Sequence, residues 1–74
     1  MSKKPERDVE KEYPLDQFVD KLRRLADAIE NGQQFEIMID GERIYVPVRA
    51  IYTIEHERGE DEEEIEFQIK WKLS

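Results

Sequence analysis

Cysteine is absent from this sequence of 74 residues, which excludes disulfides, thiolate metal ligands and thiol redox chemistry. No stretch approaches the roughly 20 apolar residues that a membrane helix needs. The charged N-terminus also lacks the apolar core of a secretory signal. These absences predict a cytoplasmic protein without a membrane span, in which packing alone must provide the stability.

Basic charge is also in short supply. Nineteen acidic residues oppose twelve basic ones, which gives a net charge of −7. An excess of negative charge disfavours binding to the phosphates of nucleic acids, so we expect no nucleic-acid partner. The excess is concentrated near the C-terminus, where residues 54–74 contain eight acidic and three basic residues.

The chain divides into a tail and one domain. Residues 1–12 mix both charges and include, besides Met1, a single apolar residue, Val9. Because so little apolar surface is available there to offset the entropy of ordering, we predict a disordered charged tail. Residues 13–74 are predicted to form a single domain, since a chain this short has room for one core.

One helix is predicted between Pro14 and Asn31. Proline is favoured at a first helical position, and the Asn31-Gly32 pair is a typical helix end. The apolar residues between them recur every three or four positions, which places them on one stripe of an amphipathic helix. We expect this stripe to be buried against a sheet; it consists of Leu15, Phe18, Val19, Leu22, Leu25, Ala26 and Ile29.

Strands are predicted after the helix. Asp40-Gly41 favours a two-residue type I′ turn, which pairs Phe35 with Val46 and Ile37 with Ile44. The C-terminal segment from residue 64 to residue 73 alternates between polar and apolar residues, which indicates a half-buried strand. Around Pro47 two arrangements stay open: a three-residue turn in a meander, or one long strand that bends there.

These elements together predict an α+β fold. One amphipathic helix would pack on one face of a four-stranded antiparallel sheet, in the order α-β-β-β-β. The single tryptophan, Trp71, falls on the same face as the apolar residues of its strand and is expected in the core.

The acidic run near the C-terminus is a candidate metal site. Carboxylate oxygens are the ligands that Ca²⁺ and Mg²⁺ prefer. The run lacks the alternating Asp/Asn positions and the glycine of a calcium loop, and a solvated hairpin tip is the competing interpretation. Divalent-cation binding by the hairpin 55–66 is therefore the alternative function, with the candidate ligands Glu60, Asp61, Glu62 and Glu63.

Nothing in the sequence predicts an enzyme. His56 is the single histidine, and a catalytic base needs a nucleophile and an orienting group beside it. Thr53, the nearest hydroxyl in the chain, is predicted on the opposite face of the strand from His56. We therefore expect no catalytic residues and no cofactor.

A modest apolar patch is predicted on the sheet face away from the helix, formed by Met38, Tyr45 and Ile51. The face of a sheet that carries no helix meets either water or a partner. The leading prediction is thus a non-enzymatic binding domain that uses this open face or an edge strand. Its partner is an unknown protein or a second copy of the chain in a homodimer.

Several of these segments resemble one known family. The sequence YPLDQFVDKLRRLADAIENG, the charged hairpin with its Asp-Gly turn, and EEEIEFQIKW are similar to the amphi-Trp domain. This small prokaryotic and notably archaeal domain is named for an amphipathic helix and a tryptophan near its end. The resemblance covers about residues 13–72. It implies an independently folding domain and carries no activity, cofactor or catalytic residue.

Overall fold

The computed structural model describes residues 5–73. Helix α1 spans Leu15–Glu30, and four strands follow it, all in antiparallel pairs. The α+β class and the order α-β-β-β-β are therefore confirmed. Within residues 5–73, no helix has the length and hydropathy that a membrane span requires. The strands are β1 (Phe35–Ile39), β2 (Glu42–Val46), β3 (Ile51–Arg58) and β4 (Glu63–Lys70).

The helix begins and ends close to the predicted residues. Pro14 occupies the position before the first helical residue, with a φ of −57° and a ψ of 151°. At the other end, Gly32 adopts a φ of 63°, and the amide of Gln33 donates to the carbonyl of Ala28 at 2.8 Å. Glycine takes this left-handed conformation at little cost, which allows the chain to leave the helix and turn toward β1.

The first hairpin, β1–β2, has the predicted register. Phe35 pairs with Val46 and Ile37 with Ile44. Both turn residues have positive φ, 45° for Asp40 and 84° for Gly41, as a type I′ turn requires.

The second hairpin, β3–β4, is longer and equally regular. Its eight pairs run from Ile51 opposite Lys70 to Arg58 opposite Glu63. The amide of Gly59 donates to the carbonyl of Glu62 at 2.9 Å and closes the turn between the strands.

The prediction that the four strands form one sheet is wrong. β1 pairs with β2 and β3 pairs with β4, which gives two separate two-stranded sheets. The cause lies at Pro47, which has no amide hydrogen to donate to a ladder. Directly after β2, the amide of Ala50 donates to the carbonyl of Pro47 at 3.1 Å, which makes a tight turn. A turn was one of the two arrangements predicted there, but it directs β3 into a separate hairpin instead of a meander with β2.

The buried core is small and lies where the elements meet. Phe35, Val46 and Ala50 are its buried hydrophobic residues in the part of the chain that the structure describes. Further partly buried side chains pack against these three: Leu25, Ala28, Ile37, Ile69 and Trp71. The core therefore joins α1, the first hairpin and only the base of the second hairpin.

The molecule is extended for its size. Its radius of gyration is 14.1 Å, whereas a compact domain of this length has one of about 11 Å. Its accessible surface is 7062 Å², whereas a folded monomer of 8.9 kDa exposes about 4,800 Å². Part of the difference comes from the exposed segment before the helix, and part from the outer half of the second hairpin.

The predicted tail lies partly within the described residues. Residues 5–12 contain no helix or strand. Arg7 nevertheless contacts the turn of the first hairpin, where it donates to the carbonyl of Ile39 at 2.7 Å and lies 3.3 Å from the Glu42 carboxylate. Residues 1–4 of the predicted tail lie outside the described residues.

Candidate functional site

The main candidate surface is the apolar face of the second hairpin. Alternate side chains of a strand point to opposite faces, so one face of β3–β4 carries all of its large apolar residues except Ile51. At the base of this face, Ile69 packs against the core. Farther out, four side chains expose between 46% and 68% of their surface. We call these four residues the apolar hairpin face: Tyr52, Ile54, Ile65 and Phe67.

The helix also presents apolar surface. We expected its stripe to be buried, yet no residue of α1 is fully buried. Leu15 and Phe18 expose 78% and 51% of their surface. The reason is that α1 lies over β1, and the second hairpin does not extend beneath it. Leu25 and Ala28 reach the core, but the outer part of the stripe is left uncovered.

An apolar cleft lies between α1 and the two hairpins. Its volume is about 470 Å³, and Phe67 and Ile69 form part of its wall, so it is continuous with the apolar hairpin face. Beside its apolar lining lie Lys11 and Lys21, whose ammonium groups are 5.4 Å and 4.9 Å from the centre of the Tyr13 ring. We call this feature the helix cleft; its apolar lining includes Phe18, Leu22, Leu25, Ile37 and Ile44.

The predicted interaction residues are exposed but do not share one sheet. Met38 and Tyr45 lie on the outer face of the first hairpin and expose 45% and 52% of their surface. Ile51 begins β3 in the second hairpin and is 61% exposed. A patch that combines all three residues stays a prediction, because the face on which it was placed assumed a single sheet.

The other face of the second hairpin carries four carboxylates. The register places Glu55 opposite Glu66 and Glu57 opposite Glu64. Carboxylate oxygens of Glu55, Glu57 and Glu66 all lie within 4.8 Å of one another. Like charges directly opposite each other on a sheet repel, so this acidic face lowers the stability of the hairpin when it is fully ionised.

Protonation relieves that repulsion in part. A side-chain hydrogen bond with Glu57, another with Glu66 and the charge of Glu66 raise the pKa of Glu64 to about 7. Gln68 also donates to the carboxylates of Glu55 and Glu66, at 3.2 Å and 3.0 Å. The acidic face is therefore bridged by the proton that Glu64 holds at pH values below its raised pKa and by the amide of Gln68.

The predicted metal ligands lie apart from this acidic face. Glu63 instead contacts basic partners, because its Oε2 lies 2.7 Å from Nε2 of His56 and 2.8 Å from a guanidinium nitrogen of Arg58. Hydrogen bonds from His56 and Arg58 lower the pKa of the Glu63 carboxyl. Glu60, Asp61 and Glu62 lie in the turn between β3 and β4.

Two features of the site were not predicted from the sequence. The apolar hairpin face was expected to lie under the helix, so its exposure was missed. The hairpin 55–66 was predicted as a cation site, but its candidate ligands were the consecutive residues Glu60, Asp61, Glu62 and Glu63 and not the acidic face. Alternation gives a usable signal for it: once Ile54 and Phe67 are assigned to one face, Glu55, Glu57, Glu64 and Glu66 must share the other.

Comparisons with protein-family models, curated proteins and solved structures found no match. The resemblance to the amphi-Trp domain therefore stays a prediction.

Proposed function

We propose that this domain is a non-enzymatic protein-interaction module, and that its contact surface is the apolar hairpin face together with the helix cleft. The observation that carries the proposal is the exposure of large apolar side chains on a regular hairpin. Ile54 and Phe67 form a cross-strand pair and expose 68% and 63% of their surface. Single exposed apolar residues are common, whereas a contiguous patch indicates an interaction site.

Energetics support the same proposal. Burial of apolar surface contributes about 25 cal/mol per Å², and small domains have little stability to spare. Among residues 5–73, three hydrophobic residues are buried, and every residue of β3 is exposed. A partner that covers the apolar hairpin face would supply burial that the described chain does not provide for itself.

Photo-cross-linking tests this proposal without knowledge of the partner. A photoreactive benzoylphenylalanine replaces Phe67 on the apolar hairpin face, and in a matched control it replaces Thr53 on the opposite face. We expect irradiation in cells to give a discrete cross-linked product from position 67 and none from position 53. Absence of a discrete product at position 67 would overturn the proposal.

Divalent-cation binding by the hairpin 55–66 is the second candidate function. The carboxylates of Glu55, Glu57 and Glu66 favour it, because their oxygens lie within 4.8 Å of one another. All three carboxylates are at the surface, and exposed acidic groups of this kind are common without an ion. Cation binding therefore ranks below protein interaction.

A further inference from the structure

We propose that the partner is a second copy of this chain, and that the apolar hairpin face of each copy occupies the helix cleft of the other. The result is a two-fold dimer in which the β3–β4 hairpin of each copy packs against the helix cleft of the other copy. This inference rests on the proposed function and names the partner. Each site is incomplete alone, because the cleft of one copy is filled by residues of its partner.

The uncovered apolar area matches the size of a stable interface. On the hairpin and the helix together, eight large apolar side chains expose between 39% and 78% of their surface. With roughly 200 Å² for a large side chain, they leave on the order of 900 Å² uncovered. A standard interface buries about 800 Å² per partner, which is close to this area. Leu15 and Ile29 do not line the helix cleft and would lie at the edge of the contact. The eight are Leu15, Phe18, Leu22, Ile29, Tyr52, Ile54, Ile65 and Phe67.

The chain carries both halves of the contact. The apolar hairpin face is a protruding surface, and the helix cleft is a concave apolar surface of about 470 Å³. Phe67 belongs to both, so the two surfaces are continuous. A two-fold axis beside this continuous surface brings each hairpin against the other cleft, which closes the assembly at two copies and leaves no repeating contact.

Charge favours the same arrangement. The hairpin is the acidic part of the chain, with the turn residues Glu60, Asp61 and Glu62 at its tip. The helix cleft includes the ammonium groups of Lys11 and Lys21, beside one carboxylate, Glu10. The acidic residues lie at the tip and on the face opposite the apolar hairpin face, so they act at longer range. The hairpin as a whole is attracted to the net positive lining of the cleft, whereas two hairpins placed against each other repel.

The experiment separates the two halves of the contact by placing a charge in each. Ile54→Lys changes the apolar hairpin face at a residue that does not line the helix cleft, and Thr53→Lys is its matched control on the opposite face. Phe18→Glu changes the helix cleft, and Gln17→Glu is its control on the adjacent helix position. Circular dichroism checks that each variant is folded, and sedimentation equilibrium measures the monomer–dimer Kd of each variant and of mixtures.

We expect Ile54→Lys and Phe18→Glu each to raise the dimer Kd at least about tenfold, because each charge enters a desolvated contact. The two controls should change the dimer Kd less than about threefold. An equimolar mixture of the two variants should dimerise more tightly than either alone, since the unchanged hairpin of one meets the unchanged cleft of the other.

Other outcomes overturn the inference. If Phe18→Glu dimerises as tightly as the parent protein, the helix cleft is not part of the contact and the hairpins meet face to face. A parent protein that is monomeric at every concentration would mean that no second copy fills the cleft. In that case a cross-link from position 67 to a different protein would leave the proposed function standing, whereas absence of any cross-link would remove both.

Discussion

Phe35 and Phe67 are a matched pair of residues for measuring how far the core of one copy extends. Both lie in strands, and both could be replaced by alanine, yet Phe35 is 7% exposed and Phe67 is 63% exposed. Phe35 contacts Val46 and Ala50 in the buried core, and the Arg24 guanidinium lies 5.6 Å from the centre of its ring. Phe35→Ala should therefore be far more destabilising than Phe67→Ala in the monomer.

The expected difference is large for so small a protein. Removal of a buried phenylalanine side chain costs about 3–5 kcal/mol. A domain of this size has a free energy of unfolding of only about 4–11 kcal/mol. Because Phe67 keeps roughly a third of its surface covered, Phe67→Ala should cost about 1–2 kcal/mol. The difference of about 2–3 kcal/mol corresponds to about 2–3 M in the urea midpoint if the slope is near 1 kcal/mol/M.

Urea denaturation followed by the fluorescence of Trp71 measures both variants. The protein concentration should be one at which sedimentation shows a monomer. Equal losses of stability for the two variants in that range would refute the reasoning, because they would mean that Phe67 is as well buried as Phe35 within one copy.

Three further predictions concern the two turns and the acidic face. The pKa of Glu64 is about 7 in the folded protein, above its ordinary value of 4.5. Between these pH values the folded state binds more protons than the unfolded state, so the free energy of unfolding falls as the pH rises from 4.5 to 7. Glu64→Gln should therefore leave the Tm nearly unchanged at pH 4.5 and raise it at pH 8; an equal effect at both would contradict this. Gly41→Ala should lower the free energy of unfolding by about 1–2 kcal/mol in chemical denaturation, because φ is 84° at that position. Gly59→Ala should be neutral or slightly stabilising, because the nearest atom to the new methyl group is 3.7 Å away. Similar costs for the two variants would argue against the type I′ turn. Millimolar Ca²⁺ should raise the Tm no more than NaCl of equal ionic strength; a saturable, calcium-specific rise that Glu57→Gln abolishes would promote the cation function.

Local features of the fold could be predicted from the sequence because their signals are local. Pro14 and Gly32 indicated where α1 begins and ends, and Asp40-Gly41 determined the register of the first hairpin. In each case one or two residues with restricted or unusual backbone conformations control a short segment. The alternation of polar and apolar residues likewise identified β4.

The arrangement of the two hairpins could not be predicted in the same way. Alternation shows which side chains share a face of a strand, but it does not show which strand lies next to it. The apolar positions of β3 continue those of β2 across Pro47 whether or not the two strands pair. Whether Phe67 is buried and whether α1 is covered depend on which strands pair. The exposed apolar surface could therefore be identified only from the structure.

Sedimentation equilibrium of the unmodified chain from micromolar to millimolar concentration tests the central claim most directly. The chain has a mass of 8.9 kDa. The reciprocal contact between the apolar hairpin face and the helix cleft predicts a reversible transition to twice that mass. The transition should end at two copies, because a two-fold contact is closed. A single species of 8.9 kDa throughout the range would contradict self-association, and a continuous increase beyond two copies would contradict the two-fold arrangement.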